Sequence, residues 1–439
     1  SPPITVVAYD VCADDITGDD SSCIHETTAE YGAQVYNNTR SPQLYNLGSE
    51  AIESLRIGAE HEDLFDYIEG YSGNLVTVSH FWDPDPIVDG VQVFRPLNLS
   101  ELDGSAYFWG NIVNNWQKSQ AYWSRALAAY AAGNLYGSSF GAYHNLGHVV
   151  HHVGDNTVPT HSHVTSHAPG NRDSYENWMS NKYHTPTFPI DVRIETGESH
   201  HILEDPELAA VIKSTGTYSD ELGRIDPLQY SDLGYDIPEF TGAERPDQKL
   251  LWLLYTTNQI SEYFGADRDD GDFVDPTGWA SADVQKMLNA GILPFTRSQM
   301  SDTDSDEPDD VDGHLARIRQ YSYIRGLRAI GGLYNLFEQT VSTKAILTIE
   351  IDEVHMKLPN GTCDDLVPDA CDFYARVSFV DAFGAPIITG QNKGRSDAAF
   401  DDKNDIITAN SNYRWNWGHA VENNETAYIR LQIMDDESG

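Results

Sequence analysis

Apolar residues follow a helical spacing along most of the first 340 residues. Stretches with this spacing span 41–68, 114–137, 142–155, 247–265 and 314–341, and each predicts an amphipathic helix. The Ala-rich second stretch runs into a glycine, which is expected to mark the end of that helix.

The spacing changes after Thr340. AILTIEIDEV, FYARVSFVDA, APIITG and AYIRLQIMDD alternate apolar and polar residues and are rich in β-branched and aromatic side chains, which predicts strands. We therefore predict a mainly α protein, with a helical domain over 1–340 and a small β-sandwich over 345–439. No apolar run reaches the ~18 residues that a membrane span needs.

Histidine is concentrated in the segment 144–167, HNLGHVVHHVGDNTVPTHSHVTSH. The segment holds seven of the chain's 16 histidines: His144, His148, His151, His152, His161, His163 and His167. On a helix, His151 and Asp155 lie four residues apart on one face and form a natural chelating pair. Pro159 is expected to end this helix and to leave His161 in a loop. Imidazole and carboxylate ligands without thiolate favour catalytic zinc or a similar ion, with room left for water.

Five motifs occur in a fixed order. CIHETTAEYG, GAEHED and SHFWDPD precede the histidine segment, which contains His-x3-Asp-x5-His with a proline two residues before the last histidine, and YENW follows it. Together these motifs resemble the zinc-dependent phospholipase C family, which includes the bacterial alpha-toxins and is related to the S1/P1-type single-strand nucleases. The resemblance covers about residues 23–340 and implies an all-helical catalytic domain.

The resemblance also implies a site of two or three zinc ions. Its ligands would be imidazoles and carboxylates: His25, Asp63, His80, His151, Asp155, His161, His167 and Glu176. Asp155 would bridge ions, and Asp63 could serve as the base for an attacking water. The remaining histidines, His144, His148, His152 and His163, are expected to pack or to hold the ligands through hydrogen bonds.

Two departures from the family pattern concern the second and third ions. In the toxins, a histidine lies four residues before the glutamate of the second site, where this chain has Arg172, which cannot ligate. His167 is our choice for that ligand. The toxins also begin with a tryptophan that helps to bind the third ion. Here Ser1 stands at the start, so Asp10 or a neighbouring carbonyl would serve instead, or the third site would be weak or absent.

The net charge of −41 opposes non-specific binding to nucleic acid and to anionic membranes. Most of this charge indicates a salt-adapted surface. Two or three divalent ions would outweigh the three carboxylates of the ligand set, so that the cleft would be positive and would attract a phosphate. A metal-activated water could then attack the phosphate ester.

The C-terminal segment resembles a C2- or PLAT-like sandwich, which in the toxins binds lipid surfaces through calcium. Carboxylates gather at its expected strand ends, and hard oxygen ligands of this kind suit calcium: Asp352, Asp372, Asp402, Asp405, Asp435 and Asp436. The alternative is a generic sandwich whose acidic loops follow the overall composition.

The cysteines form two close pairs, Cys12 with Cys23 and Cys363 with Cys371. Two local disulfides would fit an oxidising compartment, and free thiols or a Cys-rich metal site are the alternatives. The N-terminus has no signal-peptide pattern, which fits either a cytoplasmic protein or one whose signal peptide has been removed. The cysteines favour the second interpretation and hence secretion.

These observations favour a secreted, monomeric phospholipase C that cleaves the glycerol–phosphate bond of phospholipids at a membrane or lipid-aggregate surface. A single-strand nuclease or phosphomonoesterase on the same metal core is the first alternative. The acidic surface and the extra domain count against it, and no nucleic-acid partner is expected. A non-catalytic, calcium-dependent surface protein is the second alternative, which Arg172 leaves open.

Overall fold

A computed structural model describes the following residues of the 439-residue chain: 28–33, 36–37, 47–64, 80–82, 87–88, 91–92, 114–136, 140–162, 175, 246–262, 318–351, 353–355, 373–380, 393–394, 406–408, 415–421 and 428–435. Most of these residues are helical, as the apolar spacing predicted. Among them, no helix has both the length and the apolar character of a transmembrane segment.

Six α-helices have defined bounds: α1 Ser49–Leu64, α2 Asn115–Ala131, α3 Ala142–Asp155, α4 Pro159–Ser162, α5 Pro246–Glu262 and α6 Ile324–Thr343. A π-helical turn, Arg319–Tyr323, leads directly into α6. A capping box starts α2, because Asn114 and Gln117 each accept a hydrogen bond from the other's backbone N–H. Gly133, with φ of 76°, follows the end of α2, so the helix stops earlier than Gly137, the glycine at the end of the predicted stretch.

The prediction for the end of α3 was wrong in one detail. The helix ends at Asp155, and Pro159 begins the short helix α4, which carries His161. Proline is well suited to a first helical position, because the N–H that it lacks has no intrahelical partner there. His161 is thus held in a helical turn, and its backbone N–H donates to the carbonyl of Val158 over 3.1 Å.

The strands are β1 Ile87–Val88, β2 Val91–Gln92, β3 Ala345–Ile351, β4 Glu353–His355, β5 Phe373–Val380, β6 Lys393–Gly394, β7 Ile406–Thr408, β8 Trp415–Val421 and β9 Tyr428–Asp435. They pair antiparallel as β1–β2, β3–β8, β4–β7 and β6–β5–β9. The alternating patterns correctly predicted β3, β5 and β9, whereas APIITG lies outside the described residues. The division into two domains remains a prediction.

Helices α1 and α3 cross at two glycines. A Cβ atom on Gly147 would lie 2.8 Å from the Cα of Gly58, and one on Gly58 would lie 3.1 Å from the Cα of Gly147. The backbones therefore approach more closely than larger residues would permit. This approach brings the end of α1 against the histidine-bearing face of α3.

Helix α2 also contacts the C-terminal strands. The Ser124 hydroxyl donates to the carbonyl of Gly418 over 2.9 Å and accepts from the N–H of the same glycine over 3.1 Å. A Cβ on Gly418 would lie 2.9 Å from the Cβ of Leu127, so the strand backbone lies directly on the helix. Because α2 packs against α3 on another face, it connects strand β8 with the histidine segment.

Candidate metal centre

His151 is oriented by the backbone of α1. Its Nδ1 lies 2.8 Å from the carbonyl oxygen of Ala59, an acceptor, so Nδ1 carries the hydrogen and the lone pair is on Nε2. Nε2 lies 3.6 Å from Oδ1 of Asp63 and 3.4 Å from Oδ2 of Asp155. A histidine that donates one ring N–H to a carbonyl and turns the other nitrogen towards carboxylates has the arrangement of a metal ligand.

His80 comes from outside the histidine segment and is fixed through its backbone. The Asn115 side-chain amide donates to the carbonyls of His80 and His152, over 3.1 and 3.0 Å. The backbone N–H of Trp82 donates to the carbonyl of His161, and the Asn258 amide donates to the carbonyl of Trp82. The short segment 80–82 is therefore tied to α2, α4 and α5.

Three ligand atoms converge at this point. Nδ1 of His80 lies 3.4 Å from Nε2 of His151 and 3.8 Å from Oδ1 of Asp63. Ligand atoms of Asp63, His80 and His151 all lie within 4.8 Å of one another. Tetrahedral zinc with bonds of about 2.0 Å separates its ligand atoms by ~3.3 Å, so this donor set fits a divalent ion with little movement.

Asp155 faces two sides of the cluster. Its Oδ2 lies 3.4 Å from Nε2 of His151 and 3.7 Å from Nδ1 of His80. Its Oδ1 lies 3.3 Å from Nδ1 of His161. The carboxylate thus lies between the three-residue group and His161. Its role as a bridge between ions remains a prediction.

The protonation states also suit metal binding. Burial lowers the pKa of His80 to about 3, although the charge of Asp155 opposes this. Burial by itself would raise the pKa of Asp155, but His151 and His80 hold it well below its usual range. A neutral imidazole and an ionised carboxylate are the forms that coordinate. Asp63 keeps 17% of its side chain exposed, so solvent reaches the site on this side.

Sequence reasoning missed two members of the site, Glu62 and Lys118. Both are fully buried and form an ion pair. Glu62 precedes Asp63 in GAEHED, and a second carboxylate beside a proposed ligand was a signal that could have drawn attention to it. Lys118 gave no such signal, since one lysine near the start of a helix is ordinary.

His148 and His152 contact Glu62, consistent with the expected supporting role. Nδ1 of His148 lies 2.5 Å and Nε2 of His152 lies 3.2 Å from the Glu62 carboxylate. The ring of Tyr122 stacks on His148, with centroids 4.1 Å apart and planes 4° apart. His144 lies farther along α3, where its Nε2 is 3.0 Å from Nδ1 of His61.

Other predicted site residues lie outside the described part of the chain: His25, His163, His167, Glu176, Cys12, Cys23, Cys363, Cys371, Asp352, Asp372, Asp402, Asp405 and Asp436. Tyr175, next to Glu176, is buried. Asp435, the one proposed calcium ligand within the described residues, ends β9 opposite Phe373. Because the other proposed ligands lie outside those residues, the calcium site stays a prediction. The second and third ions and both disulfides therefore remain predictions.

No family model matches the chain, and no curated protein matches it. Among solved structures, an alpha toxin from Clostridium absonum is 13% identical, with 94% of this chain and 87% of that chain covered and a TM-score of 0.40. The alpha-toxin of an avian strain of Clostridium perfringens gives the same identity and TM-score, with coverages of 93% and 86%. These likenesses are at the level of the fold, and the side chains of the site are what bear on function.

Proposed function

We propose that this protein is a secreted, zinc-dependent phospholipase C that hydrolyses the glycerol–phosphate ester of phospholipids. The observation that carries the proposal is the convergence of Asp63, His80 and His151, with Asp155 beside them. The metal motifs are shared with the related nucleases, so the support for a phospholipid substrate is the C-terminal segment, which resembles the lipid-binding sandwich of the toxins. Phospholipid at a membrane or aggregate surface is the proposed partner.

A bound divalent ion would lower the pKa of a coordinated water and neutralise phosphate oxygens. The chain's own residues supply the rest. The Ala59 carbonyl fixes the orientation of the His151 ring, and Asn115 fixes the backbone of His80, so both residues are held at the site by the protein itself. Asp63 borders the solvent, and its carboxylate would accept a proton from a water that attacks a phosphate on this side.

The resemblance extends the proposal beyond the first site. His161, His167 and Glu176 would hold a second zinc ion, and His25 would contribute to a third. Calcium at the acidic loops of the C-terminal segment would attach the protein to lipid. Each extension is separable from the first site, because Asp63, His80, His151 and Asp155 bring their donors together without those residues.

The test compares metal-loaded and chelator-stripped protein on phosphatidylcholine vesicles. Release of phosphocholine by the loaded protein, its loss after stripping and its return with zinc are expected. Single-stranded DNA and p-nitrophenyl phosphate are assayed at the same salt concentration. Hydrolysis of DNA or the monoester without release of phosphocholine, or of a phosphorylated head group from other phospholipids, would replace this proposal with the nuclease or phosphatase alternative.

A variant assay connects the activity with the site. Asp63→Asn should lower kcat/KM for vesicles by about 100-fold or more, since it removes a charged ligand and the proposed base. Glu53→Gln is the matched control, because Glu53 lies on the same helix but pairs at the surface with Arg56. Equal loss in both variants would show that the site is not responsible.

A further inference from the structure

We propose that Glu62, held by Lys118, is a positioning residue for the metal centre. This inference rests on the metal site of the proposed function but concerns residues that the motif resemblance does not assign. Its basis is a fully buried carboxylate that reaches several histidines at once and is neutralised by a fully buried lysine.

Glu62 lies behind the ligands. Its Oε1 is 3.8 Å from Nε2 of His80, whose other nitrogen, Nδ1, faces Asp63 and His151. The same oxygen is 3.2 Å from Nε2 of His152, whose Nδ1 is 3.5 Å from Asp155. The rings of His80 and His152 thus lie between Glu62 and the ligand cluster. In each ring Nε2 faces Glu62 and Nδ1 faces the cluster. At 3.8 Å the carboxylate is too far from His80 for a hydrogen bond, so it acts on this ring through its charge. Its closer contact, with His152, places that ring against Asp155.

Lys118 permits this buried carboxylate to be charged. An isolated carboxylate in the interior would take up a proton or destabilise the fold. The Lys118 ammonium group and the His152 ring both contact the Glu62 carboxylate, so its charge has partners inside the protein. The lysine is supplied by α2 on the face that also carries Asn115 and Tyr122. One helix face therefore sets the backbone of His80, the charge of Glu62 and the ring of His148.

A purely structural ion pair is the competing explanation. Buried ion pairs often add little to stability, and replacing both partners by apolar residues of similar size is commonly neutral. Removing a single partner is costly, because it leaves a buried charge alone. The double variant Glu62→Leu/Lys118→Met therefore separates the two explanations.

The experiment measures zinc affinity by competition with a chromophoric chelator, the visible spectrum after cobalt substitution, and the melting temperature of the metal-free protein. Both single variants, Glu62→Leu and Lys118→Met, should melt lower than the parent. The double variant should melt above both single variants, because it leaves no buried charge alone, although it also loses the contacts of Glu62 with His148 and His152. It should still bind zinc about 10- to 100-fold more weakly and give an altered cobalt spectrum. Parental affinity and spectrum in the double variant would overturn the proposal.

Glu62→Gln provides a second measurement if the double variant does not fold. It keeps the size of the side chain and removes the charge, and it should weaken zinc binding about tenfold or more. Glu53→Gln, on the exposed side of α1, should leave zinc affinity unchanged. Parental zinc affinity in Glu62→Gln would also overturn the proposal.

The outcomes distinguish this inference from the proposed function. Parental zinc affinity in the variants overturns only the positioning role. Zinc binding by the parent without release of a phosphorylated head group overturns only the phospholipase proposal. A parent that binds no divalent ion overturns the metal centre and both proposals with it.

Discussion

Tyr143 donates its phenolic hydrogen to Oε1 of Glu338 over 2.6 Å and so ties α3, which carries the histidine segment, to α6. Burial, together with the charge of Glu338 and this hydrogen bond, raises the pKa of Tyr143. A raised pKa in the folded state means that folding favours the protonated phenol. Its contribution to stability is complete below the unfolded pKa of about 10 and is lost as the pH rises above it.

Tyr143→Phe should therefore reduce the alkaline sensitivity of the fold. At pH 8 the variant should be less stable by about 1–2 kcal/mol, because it lacks the hydrogen bond. Between pH 9.5 and 11 its free energy of unfolding should fall less steeply than that of the parent. Tyr323 and Tyr334, whose pKa values burial also raises, remain in both proteins. The free energy of unfolding is measured by urea titration at each pH. An equal fall with pH in the parent and the variant would contradict the prediction.

Asp155→Asn should reduce the number of zinc ions bound per chain. The carboxylate faces His80 and His151 with one oxygen and His161 with the other, so its loss affects both sides of the cluster. We expect affinity at the first site to fall about 100-fold, with a measurable loss of bound zinc after dialysis. Elemental analysis of parent and variant measures this, and unchanged zinc content would count against a bridging position.

Asn115→Ala should loosen His80. The variant loses two hydrogen bonds to buried carbonyls and should be destabilised by about 2–3 kcal/mol, with weaker zinc binding. Asn134→Ala is the matched control, because the Asn134 amide also donates to a carbonyl, that of Phe140, but at the surface. Thermal unfolding and zinc competition are measured on both. A similar effect of the two changes would show that Asn115 has no special role.

Ser124→Ala should test whether the strands fold together with the helices. Loss of both hydrogen bonds to Gly418 should cost about 1–3 kcal/mol. If β8 and α2 belong to one cooperative unit, the whole unfolding transition moves to lower temperature. Two separate transitions, of which only one moves, would support independent domains. Ser342→Ala, which removes an exposed hydrogen bond to Gln339, serves as the control.

Gly147→Ala should separate α1 from α3. An added Cβ would meet the Gly58 backbone at 2.8 Å, so the helices must move apart. Overpacking of this kind costs about 1–3 kcal/mol or more, and zinc affinity should fall as Asp63 moves away from His151. Gly48→Ala is the control, since nothing lies within 4 Å of a Cβ at that position. Unchanged zinc binding in Gly147→Ala would contradict this account of the crossing.

The sequence was sufficient for much of this site. The helical spacing of apolar residues predicted α2, α3 and α5, and the spacing of His151 and Asp155 predicted a shared helical face. Motif order identified Asp63 and His80, which α1 and the segment 80–82 bring to α3. Such features depend on neighbouring residues or on a pattern of several motifs. Both kinds of signal can be recognised in a single sequence.

Other features depend on partners that are distant in the chain. Lys118 reaches Glu62 across 56 positions, and neither residue has a neighbourhood that indicates the contact. Strand β8 is short and contains Gly418. Its backbone can lie on α2 because Gly418 has no side chain, and nothing near this glycine in the sequence indicates the contact. Pro159 was predicted to stop a helix because proline does so inside one, whereas here it begins the next.

The crossing of α1 and α3 also supplies a way to recognise distant relatives. Any chain that holds a carboxylate of one helix against a His-x3-Asp pair at this separation needs a very small residue five positions before the carboxylate. It also needs a second very small residue, which lies four positions before the histidine. In this chain the two residues are Gly58 and Gly147. A search that combines these two positions with the ligand spacing would reject chance histidine clusters, because metal chemistry alone places no demand on either glycine.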